Sequence, residues 1–247
     1  MSSLPKFLIF GHSHLEALLD AYSRVEPNDL GFELVPYQFL HPDRSHIVNI
    51  DGKWQYHPEC LCELQDLINA TAPTILVSML QGEQAILAGL VKPERPFEFY
   101  LPDESEAYGD SIEVMPFDMI FECCKEQYSV FSPFLAKLQS SISSPVFALS
   151  FPPPIDDPDF ILANLHYSLE REQLASASWR YRIWKVHALV LQSIYEESGI
   201  PLIPPPPDSF DDNGYLRREF WQDAVHANVQ YGHSLLQQLK NLSMEIG

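Results

Sequence analysis

Along this chain, short unbroken apolar runs alternate with longer stretches whose apolar residues recur every three to four positions. The first pattern suits strands covered on both faces, the second helices buried on one. KFLIF (6–10) runs to Gly11 and HLEALLDAYSRV follows at helical spacing, so the chain is predicted to open as strand, tight turn and helix. FELVPYQFL (32–40) and then HIVNI (46–50) read as further strands. HPECLCELQDLINATA (57–72) reads as a helix with Cys60, Leu61, Leu64, Leu67 and Ile68 on its apolar face. TILVSML (74–80) is the strongest strand signal, a near-continuous apolar run suited to the middle of a parallel sheet.

Segment 92–109 is rich in proline and acid and has no clear period, and is expected to be a loop or lid inserted over one edge of the sheet. A helical stretch is predicted over about 115–140, then the buried strand PVFALSF (145–151), closed by prolines. A long amphipathic segment spans about 160–198, with Trp179, Tyr181 and Trp184 read as core anchors and Arg180, Arg182 and Lys185 as its solvated or salt-bridged face. PLIPPPP (201–207) has room only for a short edge strand, and the last helix is expected to begin near Asn228. Four or five strands alternating with helices predict one α/β domain over 1–247, a three-layer α/β/α sandwich around a mostly parallel sheet.

Composition narrows the function. Apolar residues make up 46% of the 247 residues and charged residues 20%, as in a globular domain. Fifteen Lys plus Arg against 34 Asp plus Glu leave a formal charge of −19, a field that repels nucleic acid and anionic membranes and favours neutral or cationic small molecules. The apolar run before Gly11 is too short for a leader core or a membrane span, so a cytoplasmic protein is expected. The four cysteines fall as CxC (Cys60, Cys62) and CC (Cys123, Cys124), which suits neither a disulfide framework nor a zinc knuckle. Buried free thiols in a reducing compartment are expected.

In an open parallel sheet, ligands sit beyond the carboxyl ends of the strands. Three polar clusters are predicted there: GHSH (11–14), QGEQ (81–84) and DAVHAN (223–228). Ser13, between a strand and a helix, can expose its hydroxyl and point its N–H at a developing oxyanion. A serine hydroxyl needs a base, and an imidazole oriented by a carboxylate is the usual one; Asp223 and His226 are spaced to place both groups on one side of a turn. The plainer alternative is a serine that only caps a helix. A His12-x-His14 pair after the first strand is also how some metal sites begin, although a barrel of that kind needs more strands than this chain offers. His41, His46, His57, His166, His187 and His233 lack paired spacing and read as surface or satisfied core residues.

FGHSH and DAVHAN, the latter followed by YG and a last helix, together resemble the SGNH or GDSL hydrolases, which combine a serine after the first strand with a D-x-x-H block near the C-terminus. The resemblance covers nearly the whole chain and implies a flavodoxin-like three-layer fold. It also implies Ser13 as nucleophile, His226 as general base and then acid, and Asp223 as its orienting partner. The oxyanion would be held by the Ser13 N–H, by Gln84 where the family has an asparagine, and by Gly52 as the middle-block glycine. Gln84 and His12, which stands where the family has aspartate, depart from the pattern. The implied activity is hydrolysis of a small acyl ester such as an O-acetylated sugar, with no cofactor and no metal. Acyl transfer to a second alcohol, or a catalytically weakened domain binding a ligand or protein partner, are the alternatives.

Overall fold

The computed structural model describes residues 4–39, 45–80, 89–104 and 113–246. Its centre is a five-stranded sheet of β1 (Lys6–Gly11), β2 (Glu33–Gln38), β5 (Ile75–Met79), β8 (Val146–Leu149) and β9 (Leu202–Ile203), in the order β2-β1-β5-β8-β9 and parallel throughout. β5 lies third of the five, as its unbroken apolar run predicts, and the proline-bounded β9 is a two-residue edge strand.

Alternation along the central strands explains the apolar runs. Phe7 and Ile9 of β1 join one core cluster with Ile75 and Val77 of β5, while Leu8, Phe10 and Leu76 join the other. The first face is covered by α1 (Leu15–Tyr22), α2 (Pro27–Leu30), α6 (Pro158–Asn164) and α8 (Val229–Ile246). The second carries α3 (Pro58–Thr71), α4 (Phe117–Gln127), α5 (Phe131–Ser140) and α7 (Ala177–Glu197). The result is the expected three-layer sandwich.

Four details depart from the periodicity. Residues 46–50 do form a strand, β3 (Ile47–Ile50), but it folds back on β4 (Lys53–Tyr56) as an antiparallel hairpin outside the main sheet. The 115–140 stretch breaks at residues 128–130, where Tyr128 turns inward to a 2.9 Å hydrogen bond with His187. The 160–198 stretch is three pieces, because Asp157 caps α6 ahead of Pro158 and Ser176 caps α7. Within α7, Trp179 and Trp184 are buried as read and Tyr181 partly so; Arg182 is salt-bridged as read, but both Arg180 and Arg182 are buried and not solvated. Arg180 is consumed by the carbonyls of Ile155, Asp156 and Ala175, and Arg182 by Glu98 and the Phe99 carbonyl. A guanidinium has enough donors to be buried on carbonyls that would otherwise go unpaired.

The described part of segment 92–109 forms β6 (Phe97–Glu98), paired with β7 (Glu113–Val114), and buries Phe99 and Leu101 against the α7 side of the core. Positions 105–109 lie outside the described residues. Cys60 and Cys124 are buried free thiols, but Cys62 and Cys123 are exposed, because residues one or two positions apart on a helix point to different faces. No helix among the described residues is long and apolar enough to cross a membrane.

Candidate active site

Gly11 ends β1 against β5 so closely that a Cβ would lie 2.8 Å from both Cβ and O of Met79. The chain then turns at once: the Leu15 and Glu16 N–H groups bond the His12 and Ser13 carbonyls, and α1 begins. Ser13 is therefore held at the carboxyl end of the sheet, half-buried, at the mouth of a helix.

Its partners arrive from the other end of the chain. Asn228 fastens the loop before α8: its N–H bonds the Phe220 carbonyl, its Nδ2 donates to the Glu219 and Trp221 carbonyls, and its Oδ1 accepts from the Gln230 N–H. Between Trp221 and Ala227 the chain doubles back, and the Asp223 carboxylate accepts the N–H groups of Val225 and His226, both at 2.8 Å. The carboxylate thus shapes the turn that brings its own imidazole alongside. His226 Nδ1 lies 2.9 and 3.1 Å from the two Asp223 oxygens, and His226 Nε2 lies 2.9 Å from Ser13 Oγ.

Burial works against ionisation of Asp223, yet the hydrogen bonds from the His226 ring and from the two N–H groups prevail, and its pKa falls to about 2. An ionised carboxylate only accepts, so a neutral His226 must carry its proton on Nδ1, leaving Nε2 to accept from the Ser13 hydroxyl. That tautomer is the one a general base for Ser13 needs.

Two histidines flank the nucleophile in the chain and face opposite ways. His14 is buried with its ring 4.9 Å from that of His226, and its Nε2 has no hydrogen-bond partner among the described residues. His12 is buried against Phe39, Tyr56 and His46, the last at 4.6 Å between ring centres. Desolvation, with the neighbouring imidazoles, lowers the pKa of each to about 3, so both are neutral near pH 7. Among the described residues no three His, Cys, Asp or Glu side chains converge as a metal-ligand set.

Of the remaining expected donors, Gln84 lies outside the described residues. Gly52 sits at the tip of the β3–β4 hairpin with φ 81° beside Asp51 at 53°, so the turn itself calls for the glycine. No described contact joins it to Ser13. His166, read from the sequence as a surface or satisfied core residue, is exposed and stands beyond α6 with Nε2 3.9 Å from Asp223 Oδ2. With Leu165 and Tyr167 it forms one wall of a cleft of about 240 Å³ whose other wall is Asp223, Val225 and His226. Only the loop's approach to Asp223 in space reveals that wall, because isolated histidines at no set spacing carry no signal.

No family model and no curated protein sequence matches this chain. Solved structures do. The periplasmic domain of a lipopolysaccharide acetyltransferase from Salmonella ser. Paratyphi A matches with a TM-score of 0.54 and 13% identity, over 99% of this chain and 85% of that one. A GDSL-like lipase from Bacteroides thetaiotaomicron has a TM-score of 0.49 at 12% identity, over 98% of this chain and 89% of that one. A carbohydrate acetylesterase from Sinorhizobium meliloti has 0.47 at 10%, over 98% and 100%. The α/β fold, a parallel sheet between two layers of helices, is shared with the Salmonella acetyltransferase domain.

Proposed function

We propose that the protein is a serine-dependent acyl hydrolase that cleaves a small ester, such as an acetyl group on a sugar, through Ser13, His226 and Asp223. The observation that carries this reading is the unbroken hydrogen-bonded chain from Ser13 Oγ through His226 to Asp223, made by residues more than 200 positions apart. Ser13 Oγ attacks the carbonyl carbon as its proton passes to His226 Nε2, and Asp223 stabilises the imidazolium that forms. The Ser13 N–H is the first oxyanion donor. As the tetrahedral adduct collapses, the C–O bond to the alcohol breaks and His226 gives its proton to the departing oxygen. Water, deprotonated by His226, then releases the acid and restores Ser13. Each of these steps is assigned to Ser13, His226 and Asp223, and none of them calls on a metal or cofactor. The net charge favours a neutral small-molecule ester over nucleic acid or an anionic membrane. Four free thiols are compatible with a reducing cytoplasm.

Transfer of the acyl group to a second alcohol uses the same groups, and the fold shared with an acetyltransferase domain favours it as the second reading. Both are tested by hydrolysis of p-nitrophenyl acetate and longer esters beside Ser13→Ala and His226→Ala, each shown to fold by circular dichroism. Loss of about 10⁴-fold or more in kcat for both variants is expected. A wild type inactive on every ester, in the presence and absence of sugar acceptors, would falsify both readings and leave a binding domain.

A further inference from the structure

The proton that His226 gives up decides where an ester must lie, and the surroundings of His226 then say what kind of alcohol it carries. On the reading above, the departing oxygen must be within hydrogen-bond reach of His226 Nε2 at collapse of the adduct. The alcohol portion therefore occupies the His226 side of Ser13, and the oxyanion and acyl portions lie away from it. The cleft of about 240 Å³ has His226 and Asp223 in its wall, beside the imidazole that serves Ser13. We infer that this cleft is the alcohol subsite, and that it takes an uncharged alcohol about one ring in size that has an apolar face.

Three observations set that class. The volume is below that of typical pockets for drug-sized ligands, roughly 300–1,000 Å³, and suits a single ring. Leu165, Tyr167 and Val225 supply apolar surface, and Tyr167 is 46% exposed beside it, free to lie against a ring. Charge supplies the third: no Lys or Arg is among the described residues of the lining, whereas the Asp223 carboxylate is, held ionised with its pKa at about 2. A phosphate- or carboxylate-bearing alcohol would bring a second negative charge beside that carboxylate, with no Lys or Arg among the described lining residues to pair it, and would be disfavoured. A pyranose, with a C–H face and neutral hydroxyls, fits the same description as a cyclohexanol or a phenol.

This inference rests on the serine-hydrolase reading for its direction, and two measurements separate the two. The first compares methyl acetate, phenyl acetate and phenyl butyrate in the wild type, Tyr167→Ala and Leu165→Trp. Dividing each variant's kcat/KM by that of the wild type on the same ester cancels intrinsic reactivity. Phenyl acetate is expected to lose at least fivefold more than methyl acetate in both variants, and phenyl butyrate to lose as much as phenyl acetate. Equal losses on methyl and phenyl acetate, or losses that follow the acyl chain, overturn the assignment even if the enzyme is active. The second uses Ser13→Ala, which needs no turnover: phenol and phenyl phosphate are titrated while the His166 and Tyr167 side-chain NMR signals are followed. Shifts with phenol but not with phenyl phosphate are expected, and they are to be lost in Leu165→Trp. Stronger binding of phenyl phosphate, or no binding of either, overturns it whether or not the protein hydrolyses esters.

Discussion

Asp223 does two jobs with one carboxylate, and they respond differently to substitution. It accepts the Val225 and His226 N–H groups that close the turn, and it accepts the Nδ1–H that sets the His226 tautomer. In Asp223→Asn the amide oxygen can still hold the turn, but the amide nitrogen donates towards Nδ1 and favours the wrong tautomer. Ester hydrolysis is expected to fall about 10²–10⁴-fold with the melting temperature little changed; activity near wild type would remove Asp223 from the mechanism. His14 shows the opposite balance. Its buried Nε2 has no hydrogen-bond partner among the described residues, a cost of about 1–3 kcal/mol in a folded protein, while its ring packs on the His226 imidazole. In His14→Leu, nearly the same volume without the polar atom, the melting temperature is expected to rise while kcat falls with KM unchanged. Thermal melts and steady-state kinetics on one preparation check both, and a variant that is less stable yet fully active contradicts the assignment.

At the scale of elements, the site depends on α1 and α8 crossing closely, because one starts just after Ser13 and the other just after His226. Gly232 makes the crossing possible: a Cβ there would lie 1.9 Å from the Ala17 carbonyl oxygen and 3.0 Å from the Ala21 Cβ. In an open helix, Gly→Ala stabilises by about 1 kcal/mol. Here backbone blocks the new methyl, and overpacking of about 1–3 kcal/mol reverses the sign. Gly232→Ala is therefore expected to lower stability in urea unfolding and to lower kcat as well, since the two helices carry the nucleophile and its base apart. The elements themselves were largely readable, because β1, β5 and α3 each show one clear period. The breaks were harder. Pro133 in the first turn of α5, and the Asp157-Pro158 and Ser176 caps, are start signals inside stretches whose apolar spacing hardly changes.

The whole molecule carries buried neutral histidines that make it sensitive to acid. Burial, with the neighbouring imidazoles, holds His12 and His14 at about 3, and burial alone holds His187 at about 4, against 6.5 for the free side chain. A depressed histidine pKa means that the unfolded chain binds the proton first, so its stability contribution is complete above pH 6.5 and is lost as pH falls towards 3–4. By pH 5 each of the three has given up about 2 kcal/mol. Asp223 acts in the same direction only at lower pH, below 3.8 and towards 2. Acidification also trims the charge of −19, but relief of surface repulsion is screened at physiological salt, so the buried groups prevail. The melting temperature in 0.15 M NaCl is expected to fall from pH 7 to pH 5; no change or a rise would show that these histidines are solvated. The sequence by itself determined the strand and helix order, the parallel three-layer architecture and the candidates Ser13, Asp223 and His226, because apolar period and local turn chemistry are short-range properties. Only the tertiary structure decided that residues 13 and 226 meet at 2.9 Å, that His14 backs the imidazole while His12 turns away, that Gly52 belongs to a hairpin, and that His166 joins the wall beside Asp223. Those are contacts between segments far apart in the chain, fixed by how helices pack across a sheet.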